Sequence, residues 1–442
     1  MSNYLNGYEK FRGDGLNRSW HENSSRPLKV LVLDEEIPYP PNSGKRIRTW
    51  NLLRRLARRH SVCLLCYGRR EDPAVTAVEE AGIRLRLVEP QAVRAGLDLY
   101  SRLLANVFST FPHSVTKHYS ARFQRELDSL LQRESWDLIQ CEWTPYARFV
   151  SDVRDVPILI ASHNVESQIW ERRARHAGNP LAKLFFRTQE WKMRRFERRA
   201  MLRASAVTAV TPSDVDTLHS WSIPNITLVP NGVDLDCYSP APELGNNNEI
   251  LFLASLDWHP NVDALNYFVS EIFPLVREKR PETVLRIVGR QPAESLRKQL
   301  SGLPEIDFVG EVESVHAYLD RAAVVVVPLR IGGGSRLKIL EALGAGKAVV
   351  STSIGAEGLE VVPGEHLSIA DTPAEFARRT EELLASPESR RRFGNCGRKL
   401  VIERYGWDSI AQRLESVWHA TSANPAVATA TSSANNRQLV TP

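Results

Sequence analysis

Cysteine is scarce and scattered. The five residues Cys63, Cys66, Cys141, Cys237 and Cys396 are odd in number and follow no repeating spacing, which argues against a disulfide framework. The close pair Cys63 and Cys66 lies inside the apolar run VCLLCY, which reads as a buried strand; a zinc site would need two more ligands nearby. Long apolar runs are missing too. No stretch reaches the ~18 consecutive apolar residues of a membrane-spanning helix, and the polar start MSNYLNGYEKFRGDGLNRSWHENSSR lacks the apolar core of a secretion signal. A cytoplasmic protein, soluble or peripheral on the inner membrane face, is the expectation. No repeat of solenoid period is present. The first strand pattern leads into PYPPNSG and not into G-x-G-x-x-G, which counts against a dehydrogenase.

The composition that remains, 43% hydrophobic and 25% charged, is that of a soluble globular protein, and 442 residues suggest two domains. Net charge is only +5, but it is unevenly placed: from Arg172 to Arg203 eleven Lys or Arg face only Glu190 and Glu197, leaving the rest of the chain at −4. A diffuse nucleic-acid surface is therefore not indicated. That basic segment also carries Leu181, Leu184, Phe185, Phe186, Trp191, Phe196 and Met201. It reads either as a helix lying on an anionic lipid surface or as one that docks its apolar side and solvates its arginines.

From Leu28 onward short β-branched or leucine-rich runs alternate with helical patterns, the mark of βαβ units and parallel sheets. Leu28–Leu33, Val62–Tyr67, Ile83–Val88, Asp137–Cys141, Ile158–Ser162 and Val207–Val210 form one set. The Pro, Gly and Asn-rich stretch TLVPNGVDLDCYSPAPELGNNN reads as a linker. Glu249–Ser255, Thr283–Gly289, Ile306–Gly310, Val324–Pro328 and Ala348–Thr352 form the second set. The division this implies is a disordered extension over 1–26, a Rossmann-like domain over 27–230, a linker over 231–248, a second Rossmann-like domain over 249–402, a helix over 403–420 and a disordered tail over 421–442. Open α/β sheets bind ligands beyond the carboxyl ends of their strands, so two in tandem predict a cleft between the domains.

The strongest chemical signal is PLRIGGGSRLKILEALGAGKAVVST. Gly332, Gly333, Gly334 and Ser335 follow a strand and precede a helix, where backbone N–H groups and the helix dipole suit a pyrophosphate. Arg336 and Lys338 are placed in the first helical turn, a position that disfavours cations unless an anion is present. Glu341 can accept bonds from both hydroxyls of a ribose. The plain alternative is a glycine loop with a solvated basic turn.

With ITLVPNGVD, LDWHPNVDALNYF, IVGRQP and GAEGL in this order, the chain resembles glycosyltransferase family 4, and more narrowly the sugar transferases of bacterial exopolysaccharide clusters. The resemblance covers roughly residues 28 to 418. It implies a GT-B fold, two Rossmann-like doubly wound parallel-sheet domains facing across a cleft. It also implies retaining transfer from a nucleoside-diphosphate sugar to a saccharide or lipid-linked acceptor, with no cofactor and no metal. The donor would belong to the C-terminal domain and the acceptor to the N-terminal one. Glu341 would hold the donor ribose, and Arg336 with Lys338 the diphosphate; Gly310 and Asn231 join the donor side. Two departures stand out: Gly333 occupies the place of a Glu common in the family, and LASLDWHPN lacks the basic residues usual in that loop.

On the acceptor side Gly44 matches one of the two glycines the family carries after its first strand, and Ser43 replaces the other. His163, directly after ILIAS, is expected to hydrogen-bond or accept the proton of the incoming hydroxyl, with Glu166 as a weaker companion. A lone histidine is otherwise structural. The D-x-D patterns at Asp214–Asp216 and Asp234–Asp236 read as a helix start and as linker, not as a metal site. Rival readings are a nucleotide-sugar epimerase of the same plan and a catalytically silent scaffold.

Overall fold

The computed structural model describes residues 26–90, 106, 109–175, 177–235, 238, 248–256, 258–290, 292–300, 302–312, 314–331 and 336–423. They form two compact units, one of the described residues from 26 to 231 together with 410–423, the other of those from 232 to 409. The disorder expected over 1–26 and in the tail falls, apart from Arg26 and residues 421–423, outside the described residues.

In the N-terminal unit the strands are β1 Lys29–Leu33, β2 Ser61–Tyr67, β3 Arg84–Val88, β4 Leu138–Cys141, β5 Ile158–Ser162, β6 Ala206–Ala209 and β7 Ile226–Leu228. Every pairing is parallel, and the order is β3-β2-β1-β4-β5-β6-β7. The chain builds outward from β1 on one side and then returns to build from β4 on the other, so the sheet is doubly wound with its switch point between β1 and β4. Residues 30–33 are fully buried because helices cover both faces, which is why the strand reads as an unbroken apolar run.

The C-terminal unit holds β8 Glu249–Leu253, β9 Val284–Val288, β10 Ile306–Gly310, β11 Val324–Val327, β12 Ala348–Ser351 and β13 Ser368–Ile369, again all parallel, in the order β10-β9-β8-β11-β12-β13. Its switch point lies between β8 and β11. One continuous core runs from Val233 to Tyr405 through these strands and their helices.

The eleven strands expected from the sequence are present within one or two residues at their ends. Two strands were missed. β7 lies in what read as the start of the linker, and β13 has two residues; both are short edge strands without an apolar run. The last helix also differs from 403–420: the chain closes one helix at Arg404 and opens another over Trp407–Ala423. From Ile410 this helix belongs to the N-terminal unit, burying Ile410, Leu414 and Trp418 there. His60 joins it to the first strands: its Nδ1 accepts Leu28 N–H at 3.1 Å, so its Nε2 carries the proton and donates to Glu415 Oε1 at 2.9 Å. His60, Glu415 and His419 offer ligand atoms within 4.8 Å of one another, but that tautomer leaves His60 no lone pair toward the other two.

Gly289 follows β9 where β8 ends, and a Cβ there would lie 2.2 Å from Ala254 O. Gly289→Ala must therefore displace backbone, and overpacking of this kind costs about 1–3 kcal/mol. A urea titration of the variant is expected to show a lower midpoint than the wild type.

Candidate functional site

In a parallel sheet all carboxyl ends lie on one edge, and there the N-terminal unit gathers a cluster of buried ionisable groups. Asp34 follows β1, Glu142 follows β4 and His163 follows β5. The helix Gly44–Leu56 starts at the same edge; Gly44 is its first residue, and the Ser43 hydroxyl caps it by accepting Arg46 N–H. The mild departure at Ser43 thus has a local reason: serine is a good cap where glycine is only adequate.

That helix supplies the cations. Lys45 bridges Asp34 and Glu35, and Arg48, only 2% exposed, donates to Pro230 O at 2.8 Å and Asn231 Oδ1 at 3.0 Å. Asn231, assigned from the sequence to the donor side, is thus a residue of the N-terminal unit. Glu142 is 1% exposed and accepts from Thr49 Oγ1 at 3.2 Å, from Gln140 Nε2 and from His163 Nε2 at 3.1 Å. Burial pushes its pKa up, but the hydrogen bond from His163, the Arg48 charge and the Gln140 bond outweigh this and hold it below the usual carboxylate range. Glu142 is ionised and accepts only, so His163 donates Nε2–H and keeps the lone pair on Nδ1. Burial lowers the His163 pKa, against the pull of Glu142, and the ring is neutral at pH 7.

Asp34 behaves oppositely: burial raises it to about 7, with Lys45 offsetting only part. Glu166 accepts Trp143 Nε1–H at 2.9 Å, and Glu197 receives the backbone N–H of Glu166 and Ser167. Burial moves Glu197 to about 8 and Glu166 upward as well. Of this constellation the sequence indicated His163, Gly44 and Glu166. It missed Asp34, Lys45, Arg48 and Glu142, although Asp34 and Glu142 follow buried strands as directly as His163 does.

In the C-terminal unit Gly332, Gly333, Gly334 and Ser335 lie outside the described residues. The helix after them is Leu337–Gly344, its N-terminus at the carboxyl edge of the sheet beside the switch point. Arg336 is its N-cap, not a member of its first turn; Arg336 Nη2 donates to Ile354 O at 2.7 Å and meets Glu357 at 3.3 Å. Lys338 does lie in the first turn and donates to Asn261 Oδ1 at 2.8 Å. Lys338 and Glu341, three apart, share a helix face. Burial and the Arg336 charge lower Lys338 to about 8, and burial raises Glu341 to about 7 despite a hydrogen bond with Tyr238 and the nearby Lys338. Gly310 ends β10 at φ +85°, a left-handed conformation that favours glycine, and its carbonyl accepts Gly289 N–H at 2.8 Å.

Asp214, of the first D-x-D pattern, opens the helix Pro212–Ser220, bonded to the capping Thr211 as expected of a helix start. Asp236 lies outside the described residues. The basic segment forms the helices Glu166–Arg175 and Pro180–Arg203. The latter buries Met193 and Met201 yet leaves Leu181, Leu184 and Trp191 at 76%, 65% and 59% exposure. Among the described residues no helix is long and apolar enough to cross a membrane.

Comparison with known proteins agrees with this layout. Residues 43–232 match the family model described as glycosyl transferase 4-like domain, and residues 247–386 match glycosyl transferases group 1. The MMP alpha-(1->4)-mannosyltransferase of Mycolicibacterium hassiacum is 26% identical over 91% of this chain and 94% of its own length. A phosphatidyl-myo-inositol mannosyltransferase of Mycobacterium leprae is 32% identical over 44% of this chain, which spans about half of that relative. Among solved structures, Anabaena HepE in complex with UDP and glucose superposes with a TM-score of 0.63 at 14% identity, covering 89% of this chain and all of that one. Sucrose-phosphate synthase from Thermosynechococcus elongatus gives 0.64 at 16%, covering 90% of this chain and all of its own. These structural likenesses bear on the fold alone, two parallel-sheet α/β units of GT-B type. With both family models matched in chain order, the chain belongs to the glycosyltransferase 4-like family and is a glycosyltransferase of GT-B fold.

Proposed function

We propose that the enzyme transfers a hexosyl unit, with retention, from a nucleoside-diphosphate sugar to a saccharide or lipid-linked acceptor in polysaccharide synthesis. The observation that carries this is the start of the helix Leu337–Gly344, where Arg336 is the N-cap, Lys338 lies in the first turn and Glu341 follows on the same face as Lys338. Departure of the nucleoside diphosphate develops charge on phosphate oxygens, and these cations with the helix dipole would stabilise it without a resident metal. Glu341 would hold the ribose. The relatives named as mannosyltransferases make a mannose-bearing donor the first to try.

On the acceptor side His163, neutral with its Nδ1 lone pair available and its side chain 12% exposed, would accept the hydrogen bond or proton of the attacking hydroxyl. Attachment to an anionic membrane face would use the helix Pro180–Arg203. Leu181, Leu184 and Trp191 fall on one stripe, and Arg195 lies over the Trp191 ring at 5.6 Å.

A panel of nucleotide sugars with a membrane-derived acceptor extract tests the reaction. Acceptor-stimulated release of nucleoside diphosphate is expected in the wild type and is lost in Glu341→Ala and Lys338→Ala. Release from no donor, or near-normal turnover in the folded variants, would sink the assignment.

The donor site also has a pH signature. Glu341 works as the carboxylate, gained as pH rises through about 7, and Lys338 as the ammonium, lost above about 8. Donor affinity measured by calorimetry should peak between these values. Its acid limb should flatten in Glu341→Gln and its alkaline limb move upward in Lys338→Arg.

Membrane attachment predicts co-sedimentation with phosphatidylglycerol vesicles that weakens with salt and falls further in a Leu184→Ser, Trp191→Ser variant. Equal binding to neutral vesicles would count against it.

A further inference from the structure

Gln140 and Glu142 are two residues apart at the end of β4, so their side chains leave the same face of the sheet, opposite to Ile139 and Cys141. Gln140 is 1% exposed in a strand whose other residues are Leu138, Ile139 and Cys141. A buried amide is costly unless both its ends are bonded, and here both are. The last helix brings Trp418, fully buried, whose indole Nε1–H donates to Gln140 Oε1 at 2.6 Å. Gln140 Nε2 donates in turn to Glu142 Oε2, and Glu142 Oε1 receives His163 Nε2–H.

Every polarity in this chain is fixed by chemistry. An indole can only donate, so Gln140 must turn its oxygen to Trp418 and its amide hydrogens to Glu142. A carboxylate can only accept, so Glu142 selects the Nε2–H form of His163 and leaves the lone pair on Nδ1. We infer that Trp418 and Gln140 are positioning residues that act through Glu142 to set the tautomer and ring orientation of His163, making the last helix part of the acceptor-side machinery. The inference rests on the role proposed for His163. The helix has separate anchors, Glu415 bonded to Arg59 and His60 and a buried seam of Ile410, Ala411 and Leu414, so removing one indole N–H need not release it.

The test is ¹⁵N-histidine NMR on the full chain without substrate, with His163 identified by the signal lost in His163→Asn. Wild type is expected to show the Nε2–H tautomer. In Trp418→Phe and Gln140→Leu the tautomer ratio should fall about threefold to tenfold, the range that loss of one net hydrogen bond produces. Turnover should fall by a similar factor with the donor KM unchanged. Unchanged His163 shifts in both folded variants would overturn the relay; if Trp418→Phe does not fold, Gln140→Leu decides alone. Because the tautomer is read without donor or acceptor, absence of transfer by the wild type would count against the reaction proposed above and not against the relay.

Discussion

Parallel pairing throughout both sheets is the constraint on which the rest depends. It sends every strand's carboxyl end to one edge, so the residue after each strand meets its counterparts from strands far away in sequence. Asp34, Glu142 and His163 come together for this reason alone, after β1, β4 and β5. The constraint has a cost, since groups at that edge are packed under crossover helices and lose water. The helix Gly44–Leu56 answers it by carrying the Lys45 and Thr49 donors to the carboxylates and the Arg48 charge near Glu142.

The central strands were legible because burial on both faces makes them continuous apolar runs, as in VVVV of β11. β7 and β13 were not, since a short edge strand needs no such run. At the sites, Lys338 and Glu341 could be read because helical spacing alone puts them on one face. Arg336 could not be placed as well: its cap conformation, with φ −92° and ψ 44°, depends on contacts to Ile354 and Glu357 some twenty residues on. Glu142 looked like an ordinary acid after a strand. What sets it apart is Thr49, 93 positions earlier, and Trp418, 278 positions after Gln140, and no local pattern encodes those pairings.

The two units treat buried charge differently. In the N-terminal unit Glu142 is supplied with three donors and the Arg48 charge, and remains ionised despite burial. Such a completed network is rigid, because losing any member leaves an unpaired group behind. A group that must present one nitrogen to a substrate benefits from that rigidity, which suits His163 as the proposed hydrogen-bond acceptor.

In the C-terminal unit Lys338 and Glu341 stay incompletely compensated, with pKa values drawn toward each other to about 8 and about 7. Their charged forms are disfavoured in the unliganded protein, so a ligand that favours those forms recovers what burial removed. The proposed diphosphate would restore charge to Lys338, taking up a proton, while a ribose diol bonded to Glu341 would favour the carboxylate, releasing one. Between pH 7 and 8 these two proton movements oppose each other, so the site can gain both charges with little net exchange with solvent. A neutral sugar without its nucleotide could supply neither the anion that Lys338 lacks nor the helix N-terminus with its partner. With the proposed donor, discrimination against the free sugar would follow from desolvated charge as much as from shape.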